Sequence, residues 1–190
     1  MPPKPRFTKE KVVETALDIV SEKGITALTA RELGDALGSS ARPIFTLFDS
    51  MEELQKEVRL AAMERFEHFE ADSFYDMPFF KKVGMRMVLF GEKEPKLYQL
   101  LFMGEKHSAV CFDDIYGELG ATAGKCIENI REVYGLDTQQ AKILFENMWI
   151  YTFGIGALCA VGACDFSTDK LGDMLTTQFK AMMMLIKSEK

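Results

Sequence analysis

The sequence predicts an all-α chain: a three-helix unit containing a helix-turn-helix, followed by a larger helical unit. Three observations predict it. Apolar residues recur at three- and four-residue spacing along most of the chain. No stretch shows the sustained alternation of a half-buried strand. Residues that cap helix entries, such as Thr8, Thr29 and Ser50, stand directly ahead of the apolar runs. With 190 residues, 47% hydrophobic and 27% charged, the composition is that of an ordinary globular chain with ample core material. We place the two domains at residues 1–49 and 50–190.

Taken in order, residues 1–6 contain Pro2, Pro3 and Pro5, which block a helix, so they read as an arm. Lys4 and Arg6 on it would reach phosphates or stand solvated. Thr8 caps a first helix in which Val12, Val13, Ala16, Leu17, Ile19 and Val20 share one side, and Gly24 ends it. Thr29 and Glu32 then form a capping-box pattern, with Leu33, Ala36 and Leu37 as the buried face and Gly38 as the left-handed stop. Ser40 caps the next helix, whose apolar positions are Ile44, Phe45, Leu47 and Phe48. Pro43 then falls in the first turn, where backbone N–H groups have no intrahelical partner. Ser50 and Glu53 repeat the capping box.

From Ser50 the helical pattern continues through Leu54, Val58, Ala61, Ala62, Phe66 and Phe69 with no breaker before Ala71. Such a helix is expected to outgrow the small domain and enter the next. Residues 72–78 read as a loop. Phe79, Phe80, Val83, Met87 and Phe90 restore helical spacing up to Gly91, and Pro95 starts a helix with Leu97, Leu100, Leu101 and Phe102. Residues 104–114 read as a loop and 115–134 as a helix with Leu119, Ala123, Ile127 and Ile130 inward. Asp137 or Thr138 caps the next helix, which carries Ile143, Leu144, Met148, Trp149, Tyr151 and Phe153. Ser167 or Thr168 caps the last, with Leu171, Met174, Leu175, Phe179, Met182, Met183 and Ile186. Both of these last helices are apolar on more than one face, which in a small protein points to a subunit interface. Gly154, Gly156, Ala157, Ala160, Gly162 and Ala163 are small enough for close helix approach.

From about residue 7 to 54 the chain resembles the DNA-binding domain of the TetR/AcrR family of bacterial transcriptional regulators. KGITALTARELGDALG carries the likeness, and Gly38, Ser40, Ile44 and Phe48 follow the family's spacing without a gap. The chain departs at Ser39 (usually apolar), Phe45 (usually tyrosine) and Met51 (usually lysine). The last two departures remove a hydroxyl and an ammonium that the family often aims at phosphates. Further on, FGEKEPKLYQLLF resembles a segment of one ligand-binding branch. MWIYTFGIGAL is similar to that branch's tryptophan–histidine–glycine signature, with Phe153 where the histidine usually stands. The resemblance implies a homodimer whose last two helices form a four-helix interface.

Within the helix-turn-helix, Arg42 is placed to fork onto a guanine edge, the commonest specific contact. Thr29, Ala30 and Arg31 open the preceding helix, where free N–H groups favour a phosphate. Ser40 and Thr46 are candidate phosphate donors, and Ala41 and Phe45 share their segment. For a ligand, Phe66, Phe69, Met87, Phe90, Phe102, Met103 and Trp149 are expected to line a pocket between helices. Core packing is the competing role for each of them.

The net charge is −6, but up to Phe48 seven basic residues face six acidic ones, so the acidity belongs to the remainder. Cys111, Cys126, Cys159 and Cys164 show no metal-ligand spacing, and no metal or cofactor is expected. His68 and His107 are isolated and read as surface residues. MPPKPRF lacks the apolar run of a signal peptide, and the apolar stretch around residues 148–161 is broken by glycines. A cytoplasmic chain without a membrane partner is expected. No catalytic set stands out, so an enzyme is not expected.

The combined expectation is a repressor. It would bind double-stranded, palindromic operator DNA and be released by a small apolar or amphipathic effector. Two rivals remain: a thiol-based redox regulator using Cys159 and Cys164, and a helical interaction protein that never touches DNA. On one continuous helix the two thiols would face different sides.

Overall fold

The computed structural model describes residues 7–70, 77–104 and 121–188. Among them are eight α-helices and no strand. The helices are α1 (Lys9–Lys23), α2 (Ala30–Ala36), α3 (Met51–Glu67), α4 (Phe79–Lys93), α5 (Pro95–Phe102), α6 (Ala121–Tyr134), α7 (Thr138–Ala160) and α8 (Thr168–Ser188). Single 3-10 turns lie at Ile25–Ala27 and Ile44–Thr46. Several expectations fall outside the described residues: the arm with Lys4 and Arg6, most of the 72–78 loop, His107, Cys111, and the segment 115–120 with Leu119.

The chain forms two compact units. One holds the residues up to Phe69 together with Glu94–Gly104, the other Glu70–Lys93 and the residues after Gly104. The packing of α3 accounts for its place in the first unit. Its buried residues Leu54, Val58, Ala62 and Phe66 follow one another at four-residue spacing and form a single stripe. That stripe packs on α1 and α5, inside the first unit. α5 brings its own buried face of Leu97, Tyr98, Leu101 and Phe102. The Phe66 and Phe102 rings meet edge to face at 5.1 Å, and Tyr98 lies 5.0 Å from Phe102. Such ring pairs contribute about 0.5–1.5 kcal/mol beyond the area they bury.

Polar contacts fix α5 as well. The Arg59 guanidinium donates to the carbonyls of Leu100, at 2.5 Å, and Leu101, at 2.8 Å, which end their helix without intrahelical partners. At its other end, the Glu94 carboxylate accepts from the Ser21 hydroxyl at 3.0 Å and pairs with Arg65.

The caps mostly follow the sequence. Thr8 accepts from the Lys11 N–H at 3.2 Å, Ser50 from Glu53 at 3.2 Å, and Ser167 from Lys170 at 3.3 Å. Neither expected capping box closes, however. Glu32 is drawn to the Lys23 ammonium instead of back to Thr29, and Glu53 accepts from the Asp49 N–H at 2.6 Å, one residue further than expected. The one reciprocal box is Asp137 with Gln140 at the start of α7.

In the second unit α7 packs against α4, α6 and α8. By length and composition it could cross a membrane, but half of that stretch is buried within the unit. Ala141, Leu144, Phe145, Met148, Trp149, Ile155 and Gly156 are all enclosed, which accounts for its apolar character. α4 approaches α7 so closely at Gly91 and Gly156 that a Cβ on Gly91 would stand 2.9 Å from the Gly156 Cα. Part of the small-residue stripe expected at a dimer interface is therefore used inside the unit. The first free amides of α4 also find a partner there, since the Phe80 N–H donates to Asn129 of α6 at 3.0 Å.

Candidate nucleic-acid interface and ligand cavity

The turn after α2 is built by two glycines. Gly38, at φ 63°, donates to the Asp35 carbonyl at 3.0 Å, and Ser39 donates to Gly34 at 2.9 Å. This is a Schellman closure, and only glycine takes its left-handed position without strain. Gly34 is the residue that sequence reasoning missed. A Cβ there would lie 3.1 Å from backbone atoms of Ser39, Ser40 and Ala41, so the turn rests directly on α2. A glycine inside a capped, periodic helix was the available signal, because it costs stability unless something packs against it.

Beyond the turn, the expected recognition helix is not a full α-helix. The segment makes one 3-10 turn at Ile44–Thr46, with a single four-residue bond from Phe48 N–H to the Ile44 carbonyl at 3.0 Å. Pro43 has no N–H to give, and few residues separate Gly38 from the next cap at Ser50. Ile44 and Phe48, buried to 1% and 2% exposure, anchor the turn to the core. Ser40 does not cap it.

The remaining side chains of the segment face outward. Ser40, Arg42, Phe45 and Thr46 are exposed and Ala41 is half-buried. Phe45 is 48% exposed, large for an aromatic ring with no neighbour to cover it. Because Ser40 is no cap, its hydroxyl is uncommitted among the described residues. Thr46 differs, since its hydroxyl donates to the Pro43 carbonyl at 2.7 Å. Thr29 accepts from the Glu32 N–H at 3.1 Å and is exposed, as is Arg31, while Ala30 is half-buried.

Charge on this unit is more evenly paired than composition suggested. Lys9 pairs with Glu53, Lys11 with Glu14, Lys23 with Glu32 and Arg31 with Asp35, the last at 3.9 Å. The Glu32 carboxylate accepts from Lys23 and holds its ammonium pKa above the usual value. Arg42 has no ion-pair partner among the described residues. Exposed pairs of this kind are worth about 0–1 kcal/mol, so a phosphate can displace the carboxylate in any of them.

The second unit contains a cavity of about 90 Å³ between α4, α7 and α8. Phe80, Val83, Met85, Phe145, Met148, Trp149, Leu175 and Phe179 give it apolar walls, and Lys81 and Thr176 are at its margin. The Thr152 hydroxyl points back to the Met148 and Trp149 carbonyls of its own helix, at 3.0 and 3.1 Å. Of the seven residues expected to line a pocket, Trp149 does so. Met87 and Phe90 are fully buried on α4 away from the lining. Phe66 and Phe102 pack in the first unit, with Phe69 half-buried near the end of α3 and Met103 41% exposed. Sequence periodicity marks all seven as inward but cannot say around which centre they gather.

The cysteines also differ from expectation. α7 ends at Ala160, and Gly162, at φ 71°, turns the chain back through a second Schellman closure. Cys164 returns beside Cys159, with their sulfurs 3.6 Å apart. Burial, followed by the contact with Cys164, pushes the Cys159 thiol up to about 12. Cys126 is raised to about 12 by burial, partly offset by the charge of Arg86. His68 is exposed, and its Nδ1 lies 2.9 Å from the Glu64 carbonyl. No cluster of metal-ligating side chains exists among the described residues.

No protein-family model and no curated protein matches the chain. Among solved structures it is similar to a TetR-family protein of Vibrio parahaemolyticus assigned as a transcriptional regulator. The two share 18% identity over 90% of this chain and 96% of that one, with a TM-score of 0.59. A protein of Streptomyces coelicolor A3(2) assigned to the same family aligns at 15% identity over 95% of this chain and 98% of that one, with a TM-score of 0.49. The likeness to the Vibrio protein is one of fold: the chain has the all-α architecture of a TetR-family protein, with a helix-turn-helix unit at its start.

Proposed function

We propose that this chain is a DNA-binding transcriptional regulator that acts as a homodimer and releases a palindromic operator when a small molecule enters the cavity of the second unit. The turn over Gly34 carries the reading. It holds Ser40, Arg42 and Phe45 outward on a rigid support, the arrangement a helix-turn-helix needs in the major groove. The 3-10 form of the segment is compatible with this role, since its buried anchors leave the other side chains free. Thr29, Ala30 and Arg31 at the start of α2, with Ser40 and Ala41, supply phosphate contacts, and Thr46 joins them by giving up its bond to the Pro43 carbonyl. A dimer is supported by apolar side chains that α7 and α8 turn to solvent: Ile150, Leu158 and Val161 on one, Met184 and Leu185 on the other. Two recognition segments would then meet successive major grooves about 34–36 Å apart.

The test is binding of the protein to DNA from upstream of its own gene, by mobility shift and anisotropy. Arg42→Ala is expected to weaken the specific complex by about 1–3 kcal/mol and to relax base preference at one position per half-site. Equal weakening on random DNA would make Arg42 a phosphate contact. Absence of any DNA complex would remove the regulator reading and leave a helical interaction protein.

The 3.6 Å approach of Cys159 and Cys164 favours a second reading, in which oxidation tunes the same regulator. A disulfide needs the sulfurs to close to about 2.05 Å, a modest movement in the turn around Gly162. Peroxide would oxidise the Cys164 thiolate to the sulfenic acid with loss of hydroxide. The Cys159 thiol would then displace the sulfenic oxygen as water. Peroxide treatment should remove two hydrogens from the wild-type mass and alter DNA affinity, and Cys164→Ser should abolish both effects. An unchanged affinity in the oxidised protein would refute this reading.

A further inference from the structure

We infer that the ligand of this cavity is a small organic monocarboxylate, with an apolar body the size of one aromatic ring and its carboxylate facing Lys81. The inference rests on the ligand-responsive reading above and specifies its chemistry.

Charge gives the first argument. Among the described residues Lys81 is the only charged side chain lining the cavity, and none of those lining it is acidic. Its Nζ is held 4.8 Å from the centre of the Phe179 ring, a cation–π contact that stations the ammonium beside the apolar walls. Among the described residues no carboxylate lies within ion-pair distance of it. A cationic ligand would therefore meet only repulsion, and an anion an unclaimed partner. The chain's net charge of −6 does not cancel this, because distant charges are screened over about 8 Å at physiological salt.

Hydrogen bonding gives the second. The Thr152 hydroxyl gives its one proton to the carbonyls of its own helix, so it has none left to donate to a carboxylate deep in the cavity. The polar end of a ligand is thus directed to the margin, where Lys81 and the exposed Thr176 stand.

Size gives the third. About 90 Å³ is less than the roughly 150 Å³ of an apolar cavity that accepts benzene. One ring fits with some movement of the adaptable Met77, Met85 and Met148 side chains, and anything longer would project through the open margin.

Trp149 lines the cavity and is the only tryptophan in the chain, so its fluorescence reports occupancy. The full-length protein is titrated with benzoate, neutral benzamide, benzylammonium and benzene, and the series is repeated on Lys81→Met and Lys81→Arg. Benzoate is expected to bind about tenfold more tightly than benzamide, with benzylammonium weakest. The preference should vanish in Lys81→Met and survive in Lys81→Arg. Equal affinity for benzoate and benzamide, a preference that persists in Lys81→Met, or a response to benzene alone would overturn the carboxylate assignment while leaving the cavity as a ligand site. If none of the four shifts the fluorescence, both the assignment and the cavity's role in ligand response are overturned.

Discussion

Replacing Gly91 by alanine tests the close approach of α4 to α7. The new Cβ would stand 2.9 Å from the Gly156 Cα and 3.0 Å from its carbonyl carbon, and nearer still to the oxygen. All three are backbone atoms, so no rotamer change can relieve the clash. Carbon atoms in ordinary contact lie about 3.5–4.0 Å apart, so α4 and α7 would have to separate by roughly 0.5–1 Å at their crossing. Overpacking of this kind costs about 1–3 kcal/mol. Alanine in place of a helical glycine returns at most about 1 kcal/mol through propensity. The net expectation is a loss of about 1–2 kcal/mol, and a chain of this size shifts by about 2–4 °C per kcal/mol. Thermal unfolding followed through Trp149 should therefore drop by roughly 2–8 °C. Gly124→Ala supplies the opposite sign, since a Cβ there meets nothing within 4 Å and the position is exposed on α6. If Gly91→Ala melts with or above the wild type, α4 and α7 do not meet backbone to backbone and the derived packing is wrong.

Other substitutions probe the remaining claims. Gly34→Ala, with backbone atoms 3.1 Å from the new Cβ, should cost the first unit about 1 kcal/mol and weaken DNA binding in parallel; unchanged affinity would show that the turn does not position the contact residues. Met184→Asp or Leu185→Asp, at 75% and 52% exposure, should give folded monomers by sedimentation if α8 forms the dimer. Phe179→Asp should instead unfold the second unit, because that ring packs on Tyr134 at 4.9 Å and on Phe80 at 6.4 Å.

Local rules carried much of the fold and little of the site. Thr8, Ser50, Gly24 and Gly38 announce helix ends because a cap or a left-handed residue is satisfied within a few positions, whatever the rest of the chain does. The Thr29–Glu32 box fails for a tertiary reason, because Lys23 lies nine positions from Glu32 and competes for its carboxylate, whereas Glu53 simply bonds one residue further on, at Asp49. The apolar spacing after Gly38 predicts a helix, but Ile44 and Phe48 need only one turn to reach the core. Phe66 and Phe102 were grouped with Trp149 because all are apolar. Only the return of α5 to the first unit separates them, and such a return is a property of topology, not of any local pattern. Cys159 and Cys164 looked incompatible on a helix that was assumed to continue. Gly162 was the visible reason it would not.

On the proposed function a ligand would touch α4, and the chain passes directly from α4 to α5. α4 supplies Phe80, Lys81, Val83, Gly84 and Met85 to the cavity and ends at Lys93. α5 begins at Pro95, so Glu94 is the single residue between them. Proline fixes its own φ and restricts that of the residue before it. The Glu94 carboxylate is held by Ser21 of α1 and Arg65 of α3, and the far end of α5 is held by Arg59 of α3. A ligand can bias this arrangement only by binding one position of α4 better than another. The coupling typical of such devices, about 1–3 kcal/mol, is comparable with what a few partly exposed charged hydrogen bonds supply. On the proposed reading α3 is thus the receiving element, buried in the DNA-binding unit and gripped by α5. On the same reading α4 is the element that a ligand in the cavity would touch, and α5 is the next helix along the chain.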